Sequence, residues 1–505
     1  MKKQLLFLIA ITALHTGIAQ SAFLKDSLDI YIERSMKNWE IPGLAVCIIK
    51  DGQVVLMKGY GVKDLGGTDK VDENTLFMIG SNTKAFTATS LALLSEEKKL
   101  SLDDKVTKWI PEFKLDNRAA GEQAIIRDLL CHRIGFRTFQ GDFTYWTSDL
   151  SRKQVIEKMS HIKAAYPFRT TWGYTNAAFV TAGEIIPKAT GMTWEEFIRK
   201  RIFTPLGMTR TLALSAEIGA ATNKASAHTL STDGHLIKIP YCSIDNLGPA
   251  GSISSSVNDM SKWVMMQLNE GSLNGQQIIP ASVIQEIRKP HSILGDYPPE
   301  FNEGHFLLYG LGLLLQEYQG RRIVSHTGGV NGFVTSVTMV PEEKLGIIVF
   351  TNTDHNNLFE GLKWEILDAY LGLPYRNYSD VYLKGSSEVI AKREAGDKIL
   401  RDSVGMHPKT QLPLAAYTGN YQNNVYGTMK VVLENGELRM RFGHHPNMYA
   451  KLSALGGNRF YAVFTDPEFS KAVFPFNVKA GKVKSVTVKV ADFIEYNAYE
   501  FAKKD

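Results

Sequence analysis

Strand-like runs stand at both ends of a long helical stretch in this chain. Leu44 to Ile49 is continuously apolar, Asp51-Gly52 supplies a turn, and Gln53 to Lys58 follows as the second arm of a hairpin. Helical patterns then run from Ser81 to about Ala281, among them Val180 to Thr190 and Trp194 to Phe203, broken by Gly and Pro loops. Strand signals return at Arg322 to Ser325, Val334 to Val340 and Leu345 to Thr351. Early and late strands enclosing helices predict one α+β domain, an antiparallel sheet flanked by helices and completed late in the chain.

After a charged helical stretch from about Ser386 to Asp402 the pattern changes. Thr428 to Leu433, the turn Asn435-Gly436 and Leu438 to Phe442 form one hairpin, and Val473 to Lys479 with Lys484 to Val490 form another. Pro475 cannot donate to a ladder, which predicts an edge position for its strand. The reading is therefore a domain over residues 20–375, a linker and helix over 376–410, and a small all-β, barrel-like module over 411–505.

Residues 1–19 read as an export signal: Lys2 and Lys3, an apolar run from Leu5 to Leu14, and small residues before Gln20. That run is short of the roughly 20 residues a membrane span needs, and the expectation is an exported, periplasmic or secreted protein without stable membrane insertion. Of the net charge of +5, two positive charges leave with the signal. What remains is too dilute over such a length for a nucleic-acid-binding stripe. Cys47, Cys131 and Cys242 are too few for a disulfide framework or a Cys-x-x-Cys metal site, although one bridge is possible. His444-His445 has no ligand spaced to complete a metal site, so neither metal nor cofactor is expected.

Three short motifs carry chemistry. Ser81-Asn-Thr-Lys84 places a hydroxyl and an amine three residues apart on one helical face, where the amine can take the proton of a serine nucleophile if its pKa is lowered. Taken alone, the pattern is equally a capping serine with a surface lysine, since Ser-x-x-Lys recurs at Ser95 and Ser160. Tyr174-Thr-Asn176 offers a tyrosine that could shuttle protons as a phenolate, or simply pack. His326-Thr-Gly-Gly329 closes the Arg322 to Ser325 strand with glycines, which suits a backbone N–H aimed at an oxyanion, or merely a turn.

Together and in this order, Ser81-x-x-Lys84, Tyr174-x-Asn176 and His326-Thr-Gly328 resemble the three motifs of the penicillin-recognising serine hydrolases, in the class C β-lactamase-like branch with D-aminopeptidases and esterases. Phe77 to Phe86, Leu129 to Gly135, Ile202 to Met208 and Gly248 to Ile253 resemble further segments of that family, and the resemblance covers about residues 30 to 370. It implies a β-lactamase/transpeptidase-like fold in which Ser81 is acylated and Lys84 with Tyr174 handles the protons. Asn176 would bind the substrate amide, and the N–H groups of Ser81 and Gly329 would hold the oxyanion. Two positions depart from the pattern: His326 stands where many relatives carry lysine, and Ile134 where they carry serine. A histidine is mostly neutral at pH 7, which weakens the case for a substrate carboxylate. The C-terminal module resembles the lipocalin-like domains appended to some relatives.

The implied function is an exported serine hydrolase acting on a small-molecule or short-peptide substrate, at amide or ester bonds, D-amino-acid peptides included. The rivals are a β-lactamase or penicillin-binding D-Ala-D-Ala carboxypeptidase and, from another class, a non-catalytic binder of cell-wall fragments. The sequence leaves the oligomeric state open.

Overall fold

The computed structural model describes residues 22–296 and 299–504; the expected export signal at 1–19 lies outside them. The hairpin is present as β1 (Gly43–Lys50) and β2 (Gln53–Gly61). The later strands are β3 (Ser292–Asp296), β4 (Phe306–Tyr309), β5 (Leu314–Tyr318), β6 (Arg321–Val330), β7 (Phe333–Val340) and β8 (Leu345–Thr351). They form an antiparallel sheet in the order β2-β1-β8-β7-β6-β5-β4-β3. β1 is an inner strand, between the edge strand β2 and β8, with which it pairs from Leu44↔Thr351 to Lys50↔Leu345.

This inner strand is apolar from Leu44 to Ile49 because both its faces are covered. Leu44, Val46 and Ile48 face one core, shared with α1 (Leu28–Asn38) and a later helix, Leu358–Tyr370. Ala45, Cys47 and Ile49 face the other, shared with α2 (Thr83–Glu96) and α3 (Val257–Leu268). α2 is buried on all sides from Thr83 to Leu94, as expected of a helix without a polar face. Its Phe86 stacks on Trp263 of α3 with ring centroids 4.1 Å apart.

A 28-residue helix, Tyr378–Gly405, joins the two domains and is longer than the charged stretch suggested. It is tied to the second domain through Asp397, which accepts from Lys471 at 2.7 Å and also from Tyr461. That domain is a closed eight-stranded antiparallel barrel running from Gly419 to Lys503, with interior positions such as Tyr421, Phe460, Phe476 and Phe501 filled by aromatic rings. The edge position expected for Pro475 is not observed, because closure leaves the barrel without an edge. Pro475 instead pairs with Arg459 on one side and stands one residue beyond the end of the other ladder, which begins at Phe476↔Val486. All three cysteines are buried and free, so the possible bridge is not formed. Among the described residues, no helix is long and apolar enough to cross a membrane.

Candidate active site

Ser81 lies in a 3-10 turn, Gly80–Asn82, that runs directly into α2. The turn is pinned to β7: Asn82 Nδ2 donates to Thr335 Oγ1 at 2.9 Å, and Thr335 Oγ1 donates to Ile79 O at 3.1 Å. Gly80 has φ +52°, and a Cβ there would come within 2.9 Å of the Gly329 nitrogen, so only glycine lets the turn press against β6.

Lys84 is buried, and its Nζ has three neighbours: Asn176 Oδ1 and the Ala250 carbonyl, both at 2.8 Å, and Ser81 Oγ at 3.1 Å. The first two oxygens can only accept. A neutral amine has two N–H groups, both used by these carbonyl oxygens, and one lone pair, which then faces the Ser81 hydroxyl. Burial supports that state by holding the Lys84 pKa well below the ordinary lysine range, with the nearby Asp142 opposing. The Gly248–Gly251 turn carrying the Ala250 carbonyl is fixed to α2, Thr87 Oγ1 donating to Pro249 O at 2.7 Å.

Tyr174 hydrogen-bonds Ser81, and its ring centroid lies 4.5 Å from Lys84 Nζ. Burial pushes its phenol well above the usual tyrosine range. Of the two roles the sequence leaves open for Tyr174, the phenolate is disfavoured here, because burial raises its pKa and the lowered pKa of Lys84 leaves no fixed cation beside it to hold the ring charged. Asn176, at the start of the helix Asn176–Gly183, is engaged at both ends of its side-chain amide, since Nδ2 donates to Asp142 Oδ2 at 2.6 Å.

His326 to Gly329 differ from the expected strand end. β6 continues through them to Val330 and turns at Asn331-Gly332. Pairing with β5 stops at Ser325, so residues 326 to 330 keep β7 on one side and present their other edge to the Ser81 turn. The glycines serve close approach: a Cβ on Gly328 would lie 1.9 Å from Ile79 O. His326 Nδ1 donates to the Thr327 carbonyl at 2.6 Å, which leaves Nε2 to accept from the Tyr309 hydroxyl at 3.0 Å. Burial lowers its pKa to about 3, so the ring is neutral at pH 7.

Ser81, Tyr174, Asn176, His326 and Gly329 all line one cavity of about 380 Å³, with Lys84 directly beneath Ser81. Ile134 is buried in the core away from this cavity and lines a different, small one.

Sequence reasoning missed three contributors. Asp142 opens a short helix, α4 (Asp142–Tyr145, which precedes Asn176–Gly183), and burial and then Glu495 raise the pKa of its carboxyl well above the ordinary range. Tyr309 fixes His326. The barrel supplies the third: Phe493 and Tyr496, in the loop between its strands Lys482–Val488 and Tyr499–Lys503, line the same cavity. None of these sits in a motif, and their proximity arises only on folding.

Glu495 of that loop anchors the contact between the domains. Its carboxylate accepts from the backbone N–H of Gly141 at 3.1 Å and of Phe143 at 3.0 Å, and from the Tyr499 hydroxyl and Asn497 Nδ2. Phe143 itself enters the barrel, stacked on Tyr426 with centroids 4.7 Å apart and edge-on to Tyr499. The histidine pair is also structural: His445 bonds Tyr426 and the Trp146 carbonyl, and His444 pairs with Asp149. Among the described residues no group of His, Cys, Asp and Glu is arranged to hold a metal ion.

Residues 28–371 match the family model described as Beta-lactamase, and residues 405–503 match one described as a domain of unknown function, DUF3471. The chain is 28% identical over 455 residues to unguisins hydrolase ungD of Aspergillus violaceofuscus, an alignment spanning 84% of this chain and 79% of that protein. It is 25% identical over 364 residues to protein flp of Staphylococcus aureus, spanning 71% and 68%. The octameric penicillin-binding protein homologue from Pyrococcus abyssi superposes with a TM-score of 0.62 at 23% identity, covering 94% of this chain and 99% of that one. The D-stereospecific amidohydrolase from Streptomyces sp. superposes with a TM-score of 0.54 at 21% identity, covering 68% and 98%.

Proposed function

The chain belongs to the beta-lactamase family of serine hydrolases, and from that premise we propose that it works through an acyl-enzyme on Ser81, cleaving neutral amide or ester bonds of small peptides or esters after export directed by residues 1–19. The observation that carries this reading is the set of three neighbours around Lys84 Nζ, two obligate acceptors and one hydroxyl, which turns a neutral amine's lone pair toward Ser81.

In the proposed cycle Lys84 takes the Ser81 proton as Oγ attacks the carbonyl carbon, a role typically worth about 10² to 10⁴ in rate. The Ser81 and Gly329 N–H groups hold the resulting oxyanion, at about 10² to 10³ per donor. Tyr174 gives its proton to the leaving group, and the proton on Lys84 then passes to Tyr174. Neutral Lys84 next takes a proton from the water that attacks the ester carbonyl and passes it to Ser81 Oγ as the C–Oγ bond breaks, which releases the acid and restores the free serine and the neutral amine. Asn176 Nδ2 donates one N–H to Asp142, and its second N–H is the donor for the substrate amide carbonyl. His326, neutral and committed to Thr327 and Tyr309, offers no positive charge to a carboxylate. This favours peptidase or esterase chemistry over β-lactam hydrolysis.

The test is turnover by the full chain of p-nitrophenyl esters, of L- and D-aminoacyl p-nitroanilides, and of a chromogenic cephalosporin. The expected result is ester or anilide hydrolysis with the cephalosporin the poorest substrate. A cephalosporin turned over faster than every ester and anilide would overturn the preference and restore the β-lactamase reading.

A further inference from the structure

The loop that crosses from the barrel to the cleft leaves two large aromatic side chains uncovered, Phe493 at 41% exposure and Tyr496 at 47%. Exposed aromatics this large on a buried anchor call for an explanation, and both face the cavity that holds Ser81. Phe493 lies against Gly329: a Cβ on that glycine would be 3.3 Å from the Phe493 ring. Its ring is edge-on to Trp146, centroids 6.0 Å apart, while Tyr496 stacks on Phe139 at 5.9 Å.

The loop is fixed rather than loosely laid over the cleft. Ile494 is buried between the two exposed rings, Glu495 N donates to Ala491 O at 3.0 Å, and the Glu495 carboxylate is tied to the N–H groups of Gly141 and Phe143. A wall held this way meets a ligand without an ordering cost. Among the described residues neither lysine nor arginine lines the cavity, and its remaining surface includes Trp172, Tyr174 and Tyr309. Aromatic faces without a fixed cation suit a planar or bulky apolar group rather than an anionic one.

We propose that Phe493 and Tyr496 of the C-terminal barrel, packed on Trp146 and Phe139, form with them the aromatic wall of a substrate subsite that takes an aromatic or bulky aliphatic side chain adjoining the carbonyl attacked by Ser81. The appended barrel thereby sets which acyl group the hydrolase accepts. This inference rests on the serine hydrolase reading above.

The experiment compares kcat/KM for p-nitrophenyl phenylacetate and p-nitrophenyl acetate in the full chain and in Phe493→Ala, Tyr496→Ala and the double variant. Fluorophosphonate labelling of Ser81 and thermal unfolding are followed in parallel. Both rings are partly exposed, so their truncation should leave the protein folded, and labelling verifies this. The expected result is a wild-type preference for the phenylacetyl ester that drops by about tenfold or more in the double variant, the range for a lost apolar pocket contact. Phe493→Trp, which keeps an aromatic wall, should retain the preference. A labelled, folded double variant with an unchanged ratio overturns the subsite. Failure of the wild type to label or to hydrolyse either ester overturns the hydrolase reading and the subsite with it.

Discussion

Lys84 Nζ stands 3.1 Å from Ser81 Oγ at the floor of the cleft, one helical turn along from it and sealed from solvent. The pair is adjacent because a 3-10 turn passes into α2 between them, and the amine's pKa is lowered because α2 is buried on every side. A fold that gives this helix no polar face also lowers the pKa of its one lysine, as the proposed base requires.

Replacing that lysine separates the base from the nucleophile. Lys84→Met should lower the acylation rate of Ser81 by about 10² to 10⁴, as for the loss of a positioned general base. In the wild type the rate should rise with pH as Lys84 loses its proton, with a midpoint well below the ordinary lysine value of 10.5 because burial disfavours the charged form. Stopped-flow acylation across pH reads both, and a rising limb near the ordinary lysine value would show that Lys84 is not the depressed base.

His326 makes the native state acid-sensitive. Its pKa is about 3 in the fold against 6.5 when unfolded, so below about pH 6.5 the unfolded chain binds a proton that the native protein does not. Native stability is then lost as pH falls toward 3, by about 1.4 kcal/mol per unit. Between pH 7 and pH 5 the wild type should lose about 2 kcal/mol more than His326→Gln. Urea unfolding at the two pH values checks this, and equal losses would mean that the ring is charged in the native site.

Glu495 should hold the cleft wall through α4. Glu495→Ala leaves the N–H groups of Gly141 and Phe143 without their acceptor, at about 1–3 kcal/mol for each buried donor. Amide exchange at these two residues should accelerate and the melting temperature should fall. Unchanged protection at both would show that the loop does not anchor this helix.

The sheet, the helix α2 and the barrel were legible because each writes a period into the sequence: continuous apolar residues in the inner strand β1, apolar positions all round α2, and alternation in strands such as Lys482–Val488. The Ser81, Tyr174 and His326 motifs were legible as an ordered set and not singly. What stayed hidden depends on tertiary contact. The two glycines of the His326 motif read as a strand end, yet they lie inside β6, where they admit the Ser81 turn. Pro475 read as an edge residue, but in a closed barrel it needs only the end of one ladder. Asp142 and Phe143 are chain neighbours facing opposite ways, one toward Asn176 and the other into the barrel, and no local pattern distinguishes such a pair.

The central claim is that Ser81 is the nucleophile, and intact-mass spectrometry with peptide mapping after exposure to a fluorophosphonate tests it most directly. The account predicts a single adduct on the peptide containing Ser81, absent from Ser81→Ala, whose unfolding midpoint stays close to the wild-type value because only one partly exposed hydroxyl is removed. An adduct that persists in Ser81→Ala, or a folded wild-type protein that takes up no reagent, would contradict it.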